Sequence, residues 1–202
     1  MKIKDKAKPK LPPMEAGTYP AICTGVVDLG EQYSEKFKNY SNKVLIIFEF
    51  PTETIEVDGK MEPRQLSKEL TISGSKKGNL RGLLESWNGV QYSDEAFADL
   101  DLFDQVGKAC IANVVLSETG EYANIGSLIP LMKGMPVPES KTPLVKWDMD
   151  SWDDKVFDAL PEWIQEKIKK STQYQKEHAP TDSVEVKPVE GVEKVESQEV
   201  PF

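Results

Sequence analysis

The chain has little of what most enzymes rely on. Among 202 residues there is one histidine and there are two cysteines. The histidine, His178, lies in a stretch expected to be unfolded, where nothing would orient it for acid–base or nucleophilic work. No apolar run approaches the ~20 residues needed to cross a bilayer, and the N-terminal lysines have no hydrophobic stretch behind them. A soluble protein without a membrane span or export signal is therefore expected. Hydrophobic residues make up 39% of the chain, low for a globular domain, so part of it is expected to stay unfolded. Cys23 and Cys110 stand far apart in apolar runs that read as buried strands. Free core thiols fit this better than a disulfide, and they point to a reducing, cytoplasmic compartment.

Motifs for cofactors and metals are equally scarce. GSKKGN at 74–79 is basic and glycine-flanked, but it lacks the G-x-x-x-x-G-K-[ST] spacing that wraps a phosphate. Ser73-Gly74-Ser75-Lys76 matches Ser-x-x-Lys with no partner motif. The acidic group Asp148, Asp150, Asp153 and Asp154 puts Asp153 where a calcium loop needs glycine and Ala159 where it needs glutamate, so it reads as a solvated helix start. Neither a catalytic residue, a metal nor a cofactor is expected.

What is present is segregated charge. The net charge is −9. Residues 1–14 carry five Lys against one Asp, 15–135 carry 11 basic against 18 acidic, 136–170 six against eight, and 171–202 three against seven. This divides the chain into a basic flexible arm (1–14), a folded domain (15–135), a Pro-rich connector with a C-terminal helix (136–174), and a disordered acidic tail (175–202) in which Val-Glu recurs.

Within the domain, 17–28 reads as a strand with room for a bulge at Gly25, and EQYSEKFKNYSN (31–42) as a polar, aromatic loop. KVLIIFEF (43–50) is a nearly continuous apolar strand ended by Pro51. A turn at Asp58-Gly59 leads to a third strand at 64–73. Leu80, Leu83, Leu84 and Trp87 recur at helical spacing, with Ser75 or Asn79 as cap and Asn88-Gly89 as stop. A shorter helix is expected over 94–105, a second hairpin over 108–117 and 121–131, and a last helix over 153–174, packed on the domain or in a homodimer. The order β-β-β-α-β-β is that of the OB-fold. Such a five-stranded Greek-key barrel binds oligonucleotides or oligosaccharides on its strand two–three face and on the loops after strands one and four.

The loop after the first strand carries the most chemistry. Tyr33, Phe37 and Tyr40 alternate with Lys36, Lys38 and Lys43, a pattern that suits single strands: bases stack on rings while ammonium groups neutralise the backbone. The bland alternative is that the rings pin the loop to the barrel. Lys60, Arg64 and Lys68 would extend the groove, although Lys68 keeps register with Leu66, Leu70 and Ile72, which leaves its face open. Lys76, Lys77 and Arg81 sit near a helix start, where the dipole also favours phosphate, or where they are simply solvated. Tyr122 is a further candidate ring at a strand end.

Four stretches, GTYPAICTGVVDLGEQ (17–32), SKELTISGSKKGNLRGLLESWNG (67–89), GKACIANVVLSETGEYANIGSLIPLMKG (107–134) and LPEWIQEKIKKS (160–171), together resemble the bacteriophage single-stranded-DNA-binding proteins that serve replication and recombination. The resemblance implies a non-catalytic protein of the host cell cytoplasm that coats single-stranded DNA with little sequence preference. The ending, with Glu199, Val200, Pro201 and Phe202, resembles the acidic tip with which bacterial single-stranded-DNA-binding proteins dock replication and repair partners. Here, however, Glu196 and Glu199 are spaced where that tip has consecutive aspartates. Two rivals stand beside this reading: an adaptor of a replication complex without DNA affinity of its own, and a metal-dependent nuclease using Asp148 to Asp154.

Overall fold

Strand two alternates in a way that needs cover on both sides. Val44, Ile46, Phe48 and Phe50 are buried on one face, and Leu45 is buried on the other. Two layers supply that cover. The computed structural model describes residues 11–178. A long antiparallel meander of β1 (Gly17–Ser34), β2 (Asn39–Val57) and β3 (Lys60–Thr71) is followed by α1 (Asn79–Asn88), α2 (Asp94–Ala98) and a 3-10 turn over Leu102–Gln105. The hairpin of β4 (Ala109–Leu116) and β5 (Ala123–Ile129) comes next, then β6 (Val145–Trp147) and three short helices, α3 (Asp154–Ala159), α4 (Glu162–Lys169) and α5 (Thr172–His178).

The strands form one mainly antiparallel sheet in the order β3-β2-β1-β4-β5, with β6 added parallel to β1. Contrary to the expected closed barrel, the sheet stays open: β3 and β5 have no ladder between them. A side chain spans that seam instead. Lys68 points inward beside Leu66 and Leu70, and its Nζ donates to the Ile125 carbonyl at 2.5 Å.

The first core lies between the sheet and α1, with Phe48 and Trp87 rings 5.2 Å apart. Cys23 and Cys110 are buried in it as free thiols on neighbouring strands, and burial pushes both up to about 12. The second core covers the other face of β1 and β2, where Val27, Leu29 and Leu45 meet Trp147, Phe157, Ile164 and Ile168. The single helix expected over 153–174 is broken because Leu160, before Pro161, is held in extended geometry. Asp153 caps α3, accepting from Lys155 N at 2.9 Å.

Several boundaries move for identifiable reasons. β2 continues past Pro51 because a register slip between Phe50 and Thr54 spares the proline a ladder bond. The expected bulge at Gly25 is present, as a register shift between Cys23 and Gly25. Helix α1 stops where expected. Gly89 takes φ +66°, and an added Cβ would lie 2.9 Å from Pro130 Cγ. Within the stretch expected as a flexible arm, Met14 is buried in the first core, and Arg64 Nη1 donates to the Pro12 carbonyl at 2.9 Å. The expectations for residues 1–10 and for the tail from 179 on, including Glu199, Val200, Pro201 and Phe202, lie outside the described residues. Among the described residues, no helix is long and apolar enough to cross a membrane.

Candidate nucleic-acid interface

The stretch expected as a loop after the first strand is instead a paired ribbon. Tyr33 stands directly opposite Tyr40 and Ser34 opposite Asn39, and the turn closes with Lys38 at φ +53°. The two tyrosine rings lie 5.0 Å apart, 49% and 57% exposed, and Phe37 at the tip is 70% exposed with Lys36 Nζ 5.4 Å from its ring centroid. Tyr33, Lys36, Phe37, Lys38 and Tyr40 are thus gathered on one projecting tip. Lys43 stands further along β2, its Nζ donating to Thr71 Oγ1 at 2.6 Å.

The C-terminal layer holds the base of this ribbon. Gln32 Nε2 donates to the Lys167 carbonyl at 2.9 Å, Glu31 N donates to Gln173 Oε1 at 2.8 Å, and Thr172 Oγ1 donates to the Glu31 carboxylate at 2.7 Å. Gly30 makes this docking possible, because at φ +68° a Cβ would fall 2.8 Å from Ser171 Cβ. Beside the ribbon, Tyr33, Lys43, Glu69 and Lys167 border a hollow of about 200 Å³.

A larger cleft of about 850 Å³ opens between β3, β5 and the start of α1, lined by Lys68, Lys76, Lys77, Asn79, Asn124 and Ser127. Helix α1 begins at Gly78 with no side-chain cap and no acidic residue in its first turn. Its positive end is therefore left for an anion or for water. Partial burial pulls the Lys68 ammonium below the usual lysine range. Glu69 borders both the cleft and the smaller hollow, so the two adjoin across β3. Asn79 was expected only as a cap, and Asn124 and Ser127 carried no sequence signal.

Other candidates fall elsewhere. Lys60 sits at the far end of the β2–β3 ribbon, opposite Val57; from Lys43 to Val57 is on the order of 45 Å at ~3.3 Å per residue. Arg64 and Tyr122 share a separate cleft of about 530 Å³ with Pro12 and Pro13. The strand two–three face expected to bind is covered over β2 by the second core. Nearby, Glu49 is fully buried and accepts from the backbone amides of Lys141 (2.7 Å) and Thr142 (3.0 Å), clamping the connector. A carboxylate inside an apolar strand gave no hint of that partner, which lies 92 residues on.

Arg81, expected to reach a phosphate near the helix start, is instead taken up inside the fold. It is buried, with Nε donating to Glu85 at 3.0 Å, Nη1 to Asp94 at 2.7 Å, Nη2 to the Tyr92 carbonyl, and its guanidinium 5.1 Å from the Phe97 ring centroid. It ties α1 to α2 and has no face for a phosphate. Its hydrogen bonds hold the Asp94 and Glu85 carboxyls below their usual range, with Lys76 adding to the effect on Asp94. Groups depressed in this way stabilise the fold above their unfolded pKa of ~4, and that contribution is lost as pH falls through the folded values. Asp94 is more than half exposed, so solvent screens part of it. Melting temperature should therefore hold steady down to about pH 5 and drop below about pH 4. Arg81→Met should melt lower at neutral pH and show a shallower acid limb; an unchanged limb would show that these carboxyls owe Arg81 nothing.

Among the described residues, no group of three His, Cys, Asp or Glu side chains could hold a metal ion. The acidic stretch after β6 is spent on local turns: Asp148 accepts from Asp150 N at 3.0 Å, and Asp153 caps α3. Compared with protein-family models, with curated proteins and with solved structures, the chain matches none.

Proposed function

We propose that this chain is a non-catalytic, OB-fold-like protein that binds single-stranded DNA without sequence preference. In this reading it protects the strand during phage replication or recombination in the host cytoplasm and recruits partner proteins through its acidic C-terminal end. The observation that carries the reading is the tip itself: two opposed, half-exposed tyrosines and a protruding phenylalanine, interleaved with Lys36 and Lys38. Bases stack on such rings and lysines follow the backbone, and neither contact reads base identity. The strand order β3-β2-β1-β4-β5, with α1 between β3 and β4, is the neighbour order of an OB-fold and supports the assignment. The cleft with Lys68, Lys76 and Lys77 would take the backbone onward. A net charge of −9 does not oppose this, because the lysines are local and their potential falls off within a Debye length. The recruiting role of Glu199 to Phe202 rests on the resemblance of the ending alone.

Fluorescence anisotropy of labelled oligo-dT, beside a duplex of equal length and across a salt series, tests the proposal. The single strand should bind more tightly than the duplex. Its affinity should fall with a log-log slope of about −2 to −4, at ~−0.7 for each phosphate neutralised by the tip and cleft lysines. Absence of binding up to high micromolar protein would overturn the reading in favour of the adaptor.

A further inference from the structure

Four tryptophans are present, and three of them have work inside the fold. Trp87 lies in the first core, while Trp147 and Trp152 meet at 4.7 Å in the second. Trp163 is the exception. It stands on α4, 47% exposed, while Ile164 and Ile168 take that helix's buried side. So much indole left in water gives up the hydrophobic gain of packing it, and rings placed this way are enriched at contact sites.

The surroundings give the contact a direction. Trp163 and Lys167 are four residues apart on α4 and Lys170, the C-cap of that helix, follows three residues on, so the three line one side, and they border a shallow hollow of about 430 Å³. Lys167 also borders the hollow that contains Tyr33 and Lys43. The two hollows therefore share one residue, Lys167, with an exposed indole on one side and the base of the aromatic ribbon on the other. Lys167 is ion-paired with Glu69, a pairing of two partly exposed groups that a phosphate can replace at little cost. Glu162 and Glu166 border the same hollow, which disfavours a backbone lying over them and leaves stacking on the indole as the fitting contact there.

We propose that α4 continues the single-strand track: Trp163 is a stacking platform for a base, and Lys167 and Lys170 hold the adjoining phosphates. This rests on the single-strand reading above and extends it to a helix that reading did not include.

Trp163 is the most exposed of the four indoles, so it is the one whose share of the intrinsic emission of the full-length protein a bound strand can quench by contact. Unlabelled oligo-dT should quench the emission in step with binding followed by anisotropy. Trp163→Phe, which keeps a ring to stack on, should keep oligo-dT affinity within about threefold yet lose most of the quenching, and Trp163→Ala should bind roughly 5- to 150-fold more weakly, the loss of one stacked base. Matching thermal melts would show that both variants fold. Binding with emission unchanged, or wild-type affinity in Trp163→Ala, would take α4 off the track while leaving single-strand binding intact, as would an indole occupied only by a partner protein. If oligo-dT binds neither wild type nor variants, this inference falls together with the reading beneath it.

Discussion

Alanine at Tyr33, Phe37 and Tyr40 together is expected to weaken oligo-dT binding by about 100-fold or more, since each stacked base contributes ~1–3 kcal/mol. The three contributions will not simply add. Tyr33 and Tyr40 already touch, at 5.0 Å and a tilt of 52°, so a base that engages one ring must compete with or extend that pair. Phe37 has the Lys36 ammonium 5.4 Å from its ring centroid and is 70% exposed, which makes Phe37→Ala the single tip change with the largest effect on binding and the least on folding. The triple variant should keep its fold, because the ribbon is anchored below the rings by Gln32 and Glu31, and a cross-strand aromatic pair adds only about 0.5–1 kcal/mol. Leucine at the same positions separates stacking from plain hydrophobicity: it preserves apolar area but offers no π-face. Anisotropy on the alanine and leucine variants reads both. Undiminished oligo-dT binding by the triple alanine variant, with a partner protein lost instead, would make the tip an adaptor surface.

How much of this could be read from residues alone depends on how local each feature is. Helix α1 was legible because its apolar positions, Leu80 to Trp87, and its stop, Asn88-Gly89, lie within a dozen residues of one another. The β4–β5 hairpin was legible for the same reason. The ribbon was not: Glu31 to Ser34 and Asn39 to Asn42 show no inside–outside contrast, since both faces lie near water, and pairing rather than burial makes them strands. Arg81 shows the limit more sharply. Its partner Glu85 is visible at i+4, but the pair with Asp94 and the bond to the Tyr92 carbonyl are closed by a chain turn that no local pattern announces. Lys68 was half legible, its alternation with Leu66 and Leu70 pointing inward as found. Strand order followed from element order, but closure depended on a seam between β3 and β5 that are more than 50 residues apart along the chain. The nearly continuous apolar run of β2 read only as a strand; its burial on both faces, the second by α3 to α5, is closed by residues more than 100 positions further on.

That second cover is where a single substitution should do most to stability. Trp147→Ala is expected to cost about 3–5 kcal/mol, the usual range for emptying a buried aromatic site. Trp147 is fully buried opposite Val27, with the Trp152 and Phe157 rings at 4.7 and 5.4 Å, so neighbours on β1, on α3 and in the loop between β6 and α3 lose contacts. One term acts in the other direction: the indole Nε1 is buried without an acceptor among the described residues, and deleting it removes an unsatisfied donor, which favours the lower half of the range. The damage should also be uneven. The first core shares none of these side chains, so amide exchange should accelerate over 145–178 and at Glu31 and Gln32, while Leu80 to Trp87 stay protected. Because α4 and α5 anchor the ribbon, oligo-dT affinity should fall about tenfold although no residue of the tip has changed, the cost of ordering a loosened platform on binding. Equal acceleration in α1 and α4 would instead show both cores opening as one cooperative unit, and the aromatic tip would then owe its position to the whole sheet rather than to the layer behind it.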